Sequence, residues 1–158
     1  MITIIQNYTY DDIKTSMRYL LDKASYSDEV RQLAIEIVDY KPEPISAIYD
    51  WVKENVRYTP DPVRNGQIEL FTSPIRMIKD YREGRPMAED CDGISLLTAS
   101  LLRSLGYQSN IVLLDTRGQG FDHAVTQVIL NGNTIMLDAS TNKYPLGWEE
   151  HYYQKVVI

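Results

Sequence analysis

One stretch constrains this chain more than any other. From Ile94 to Leu105 the sequence reads Ile-Ser-Leu-Leu-Thr-Ala-Ser-Leu-Leu-Arg-Ser-Leu, with Gly106 directly after it. Ile94, Leu97, Leu101 and Leu105 share one face of a helix, and Leu96 and Leu102 widen it. A helix apolar over so much of its girth has to be central and covered by other elements. Gly106 stands where a left-handed cap ends it. The chain must wrap around this helix, and its 158 residues suffice to do so as one domain, residues 1–158.

N-terminal to this helix the chain reads as more helices. Asp11 or Asp12 can cap one that runs to about Leu21. Ser27 can cap a second, with Asp28 and Glu29 in its first turn and Val30, Leu33, Ala34, Ile37 and Val38 as its apolar stripe. Pro44 starts a third with Ile45, Ile48, Trp51, Val52 and Val56 aligned, ending at Thr59-Pro60-Asp61-Pro62. Residues 61–72 read as irregular. Ser73-Pro74 caps and opens a short helix to about Tyr81, and Glu83-Gly84-Arg85-Pro86 is a loop.

C-terminal to the helix the chain reads as strands: Ser109 to Leu114, Phe121 to Leu130, Asn133 to Asp138, and an edge strand within Tyr152 to Ile158. Helices over 1–106 and antiparallel strands over 107–158 predict an α+β fold, with the central helix packed on the sheet.

The chemistry gathers on this frame. Cys91, the only cysteine, opens the central helix. His123 comes later on a strand and Asp138 on the next. A thiol nucleophile needs that set: a sulfur, a base, and a carboxylate to orient the base. At the first turn of a helix Cys91 meets unpaired N–H groups and the positive end of the dipole, so a thiolate is expected there, ion-paired to His123 on the sheet face below. Gly93 leaves room beside the sulfur, and the Cys91 N–H can serve an oxyanion.

The hairpin tests whether His123 and Asp138 can meet. Asn131-Gly132 signals a two-residue turn, which pairs Leu130 with Asn133. Counting back, Val128 faces Ile135, Thr126 faces Leu137, and Val125 faces Asp138. His123 is then a diagonal neighbour of Asp138 on the same face, at about 7–8 Å between backbones. A three-residue loop would send them to opposite faces. Asp122 points the other way.

Composition narrows the partners. A net charge of −6 without a Lys/Arg cluster excludes the basic footprint of nucleic-acid binding. No apolar run has the length of a membrane span, and Met1 to Asn7 lacks the features of a secretory signal, so a cytoplasmic location is expected. A single cysteine makes no internal disulfide. One cysteine and one placed histidine are a poor zinc set, so no metal or cofactor is expected. The twelve tyrosines are scattered singly and read as packing residues. His151 reads as surface, Trp148 as a loop aromatic or turn anchor, and Asp90 and Asp92 as helix-start carboxylates. The loop from Glu83 to Glu89 reads as a surface loop, with a lid as the alternative.

Together Asp90-Cys91-Asp92-Gly93, the Leu-rich helix ending Leu102-Arg103-Ser104-Leu105-Gly106, Asp122-His123-Ala124, and Leu137-Asp138-Ala139 resemble the motifs of the transglutaminase-like superfamily. Asn55-Val56-Arg57-Tyr58, Asp61-Pro62 and Ser73-Pro74 resemble its bacterial and phage-encoded branch. The likeness covers roughly residues 45–140. It implies a papain-like core in which Cys91 is nucleophile, His123 base and Asp138 orienter. It further implies acyl transfer on a peptide or protein amide, as a cysteine protease, amidase or transglutaminase. Hydrolysis is favoured, since nothing resembles an amine site or calcium loops. Two positions depart from the pattern: Glu89 where the family often has Gly, and Ala139-Ser140 where it often has Pro or Thr. The family's second oxyanion donor has three candidates here: Tyr58, Asn55 and Gln67. The alternative reading is a non-catalytic binding or assembly module, virion-associated if phage-related; a metal-dependent hydrolase is a third. The oligomeric state is not encoded in any of these features.

Overall fold

In a computed structural model the chain is described over residues 2–6, 9–60 and 68–158. The elements run β1 (Ile2–Gln6), α1 (Tyr10–Ser25), α2 (Asp28–Val38), α3 (Pro44–Asn55), β2 (Val56–Tyr58), β3 (Ile68–Thr72), α4 (Pro74–Arg82), β4 (Met87–Glu89), α5 (Cys91–Ser104), β5 (Gln108–Asp115), β6 (His123–Leu130), β7 (Asn133–Leu137) and β8 (Gln154–Val157). The expected α+β class, with its central helix and antiparallel sheet, is present.

Helix α5 is the axis of the molecule. Every residue from Gly93 to Leu102 is buried. Its side chains Ile94, Leu97, Leu101 and Leu102 join Val30, Leu33 and Ile37 of α2, Ile48 and Val52 of α3, and Met77 and Ile78 of α4. Leu96 and Ala99 pack instead against Ile13, Met17, Leu20 and Leu21 of α1 and Ile111 and Leu113 of β5. Each fully buried Leu or Ile contributes about 1.5–3 kcal/mol of transfer free energy. The polar residues of α5 are silenced locally, Thr98 Oγ1 donating to the Ile94 carbonyl at 2.8 Å and Ser100 Oγ to Leu96 at 2.7 Å. The helix ends as expected: Gly106 has φ +92°, and the Tyr107 N–H returns to the Leu102 carbonyl at 3.1 Å.

The sheet order is β7-β6-β5-β8, all antiparallel. Asn131 and Gly132 both have positive φ, +52° and +78°, as a type I′ turn requires. Leu130 pairs with Asn133, Val128 with Ile135 and Thr126 with Leu137, which is the register expected from the two-residue loop.

Four short strands lie where the sequence reads as helix flank, loop or terminus. β1 pairs antiparallel with β3, so residues 68–72 are not irregular; residues 61–67 lie outside the described residues. β2 pairs in parallel with β4, so helix α3 ends at Asn55 rather than Thr59. Each is three to five residues long, too short for periodicity to announce it. Helix α1 is capped by Thr9, not by Asp11 or Asp12; Asp12 instead closes the capping box, and the helix continues to Ser25. Among the described residues no helix is long and apolar enough to cross a membrane.

Candidate active site

Cys91 is delivered by two devices. Asp90 is the N-cap of α5, its Oδ1 accepting the Asp92 and Gly93 N–H groups at 3.0 and 3.3 Å. The parallel β2–β4 pair then fixes the approach: Tyr58 sits opposite Glu89, and the Thr59 N–H donates to the Glu89 carbonyl at 2.8 Å. The segment before Cys91 is therefore a paired strand, not a lid. Its preceding turn is tied down by Arg85, whose guanidinium bonds to Asp80 and Glu83.

The Cys91 thiol is a donor to Asp92 Oδ1 at 3.7 Å, and its sulfur accepts the Ala124 N–H. Burial pushes the thiol well above its ordinary value, and the carboxylates of Asp92 and Asp90 push the same way, against the Ala124 N–H. This overturns the expectation of a resting thiolate. The helix start does favour negative charge, but Asp90 and Asp92 already supply it there, and a third negative group is repelled.

His123 and Asp138 meet as the register requires. Nε2 of His123 lies 2.7 Å from Oδ2 of Asp138. Asp138 is almost fully enclosed, and its other oxygen accepts the Ser140 N–H and hydroxyl at 3.1 and 2.6 Å. Burial alone would lower the imidazole, but the Asp138 hydrogen bond and the charges of Asp138, Glu150 and Asp122 hold it above its usual value. Burial alone would raise Asp138, and the bonds from His123 and Ser140 hold it below. Asp122 turns away, accepting from Thr116 and Arg117.

The two halves of the site join at the end of the sheet, not over its face. Ala124, Thr126 and Val128 point to α5, Thr126 Oγ1 donating to the Ser95 carbonyl at 3.2 Å, while Val125 and Met136 form a cluster on the far side. Strand alternation puts His123 with Val125. The expected shared face is thus replaced by an edge contact: His123 is the first residue of β6, and the sulfur rests on the amide of the next residue. Asp92 and Ala124, not the imidazole, are the sulfur's hydrogen-bond partners among the described residues.

Sequence reasoning misses two contributors. Ser140 enters it only as a departure from a family pattern; an Asp with Ser two residues on is itself a turn signal. Glu150 has no signal. Its Oε2 lies 3.8 Å from His123 Nε2, and its Oε1 accepts the Tyr144 hydroxyl at 3.1 Å. That loop is held by Tyr49 donating to the Tyr144 carbonyl and by the Gly147 N–H donating to Met136 at 2.8 Å. Trp148 is exposed and stacks on Tyr144, with the rings 4° from parallel.

Of the three oxyanion candidates, Tyr58 borders the site: its phenol is raised by burial and by the charges of Cys91, Asp90, Asp92 and Asp138. The Asn55 amide is spent on the Trp51 carbonyl at 2.8 Å. Gln67 lies outside the described residues. Gly93 has a different reason to be glycine than room beside the sulfur: a Cβ there would fall inside the Glu89 side chain.

Known proteins share this arrangement of elements. The fold resembles that of a candidate cysteine protease from Cytophaga hutchinsonii, with a TM-score of 0.57 at 20% identity over 88% of this chain and 49% of that one. It resembles a candidate protease from Parabacteroides distasonis, with a TM-score of 0.54 at 16% identity over 80% of this chain and 26% of that one. EGTA-treated LapG from Legionella pneumophila aligns with a TM-score of 0.50 at 18% identity over 80% of this chain and 72% of that one. The chain thus spans about half the Cytophaga protein and about a quarter of the Parabacteroides one. A search of the curated proteins found no match. The family described as "Transglutaminase-like superfamily" matches residues 31–139, which takes in α5, the Asn131-Gly132 hairpin and Asp138, and the chain belongs to that superfamily.

Proposed function

We propose that this protein is a cysteine-dependent acyl-transfer enzyme acting on peptide or protein amides. The observation that carries the reading is the His123–Asp138 hydrogen bond, with the Cys91 sulfur seated on the amide next after His123. Asp138 occupies Nε2, which leaves Nδ1 as the nitrogen that works as base.

The resting thiol is neutral, so deprotonation accompanies attack. As the sulfur bonds to the amide carbon, its proton passes to His123 Nδ1 and the carbonyl electrons move onto oxygen. The Cys91 N–H, with the Tyr58 hydroxyl as second donor, stabilises that oxyanion. The imidazolium, held by Asp138, gives its proton to the leaving nitrogen as the C–N bond breaks, and a thioester remains. Water then loses a proton to His123, attacks the thioester and releases an acid; an amine in its place would form a new amide. Hydrolysis is the favoured outcome.

The test is to trap the thioester. A peptide-amide mixture is reacted, quenched in acid, and the Cys91 peptide is weighed by mass spectrometry. A hydroxylamine-labile acyl adduct, absent from Cys91→Ala and depleted in His123→Ala, is expected. A second reading, a binding or assembly module on the same fold, draws on the raised thiol. It would be favoured if no adduct formed with any peptide and Cys91→Ala left partner binding unchanged.

A further inference from the structure

Two carboxylates from separate segments converge on one nitrogen of His123, making three metal-ligating groups in all. His123, with its Nε2, begins β6; Asp138, with its Oδ2, comes directly after β7; and Glu150, with its Oε2, belongs to the loop before β8. All three atoms lie within 4.8 Å of one another. The His123–Asp138 separation is 2.7 Å and the His123–Glu150 separation is 3.8 Å. Glu150 is aimed at the ring from beyond hydrogen-bond range. The Tyr144 hydroxyl and the anchored loop hold it there rather than letting it swing to solvent.

Donors bound at about 2.0–2.2 Å to one ion stand about 3–4 Å apart. The Glu150–His123 spacing already falls in that range. To hold an ion the Asp138 bond opens by roughly half an ångström, and Asp138 and Glu150, whose oxygens lie within 4.8 Å of each other, close on it by side-chain rotation. An imidazole nitrogen with two carboxylates suits a borderline divalent cation such as Zn2+, whereas Ca2+ and Mg2+ want oxygen alone. We infer that His123, Asp138 and Glu150 form a Zn2+ site that inhibits the enzyme.

The inhibition arises from tautomer chemistry. A metal takes the Nε2 lone pair, so the ring's remaining proton must sit on Nδ1. A proton already on Nδ1 leaves no lone pair there, and His123 cannot accept the thiol proton. If the ring is doubly protonated at the start, one proton goes to solvent as the metal enters. No redox change is involved. Only the inhibitory consequence rests on the acyl-transfer reading; the binding does not.

Calorimetric titration of the full chain with ZnCl2 separates the outcomes, each variant being checked first by its thermal melt. Cys91→Ala is expected to bind Zn2+ as the wild type does. Glu150→Gln is expected to bind about tenfold more weakly or worse, as does Glu150→Asp, which keeps the charge but shortens its reach. Loss of binding in Cys91→Ala would mean an ion bridging sulfur and imidazole, and overturns the proposal. So would undiminished binding in Glu150→Gln, or no binding by the wild type. Zn2+ bound as expected by a protein that forms no acyl adduct would leave this site standing and remove the enzymatic reading instead.

Discussion

His123 Nε2 and Asp138 Oδ2 stand 2.7 Å apart across a hairpin whose register is set by Asn131 and Gly132 at its far end. The pair has a definite pH signature. The raised His123 contributes stability that is full below its unfolded value of about 6.5 and is lost as pH rises through the folded value. The lowered Asp138 contributes stability that is full above about 3.9 and is lost as pH falls through its folded value. Melting temperature measured against pH should therefore fall in the wild type as pH rises above about 6.5 and through the raised folded value. His123→Ala should flatten that limb; parallel curves would show that the pair carries no linkage.

Asp92 is predicted to hold the thiol in its neutral form. It accepts the Cys91 S–H and adds its own charge to the cost of a thiolate. Asp92→Asn should move the pH profile of iodoacetamide alkylation downward. Since Cys91 is the only cysteine, the readout has one source. An unmoved profile would leave burial and the charge of Asp90 as the causes.

Gly93 and Glu89 are predicted to be coupled. Gly93→Ala places a methyl against Glu89 Cβ as well as its carboxylate, so rotation of the side chain alone does not clear it. Overpacking of this kind costs about 1–3 kcal/mol. Glu89→Gly should recover most of that loss in the double variant. Additive losses in urea unfolding would rule the coupling out.

The turn itself should matter to the site. Gly132→Val puts a β-branched residue at φ +78°, which costs of order 1–3 kcal/mol. The expected outcome is a lower melting temperature with a weakened His123–Asp138 hydrogen bond, seen as a downward shift of the imidazole titration by NMR. A lower melting temperature with an unchanged titration would show that the register survives without the turn.

The sequence by itself determined whatever local rules can reach. The all-round apolar pattern of Ile94 to Leu105 required a buried helix, Asp90 and Gly106 marked its ends, and Ser27, Pro44 and Ser73-Pro74 opened their helices where expected. Asn131-Gly132 fixed a register, and with it the meeting of His123 and Asp138, because side chains alternate with period two and a turn of known length leaves no choice. Only the tertiary structure decided the rest. The pairings of β1 with β3 and β2 with β4 join segments distant in sequence and too short to show a pattern. The approach of Glu150 to His123 depends on how a loop is anchored by Tyr49 and Met136. Desolvation and the charges of Asp92 and Asp90 raise the Cys91 thiol; the cost of a charge depends on everything packed around it, and no window of sequence contains that.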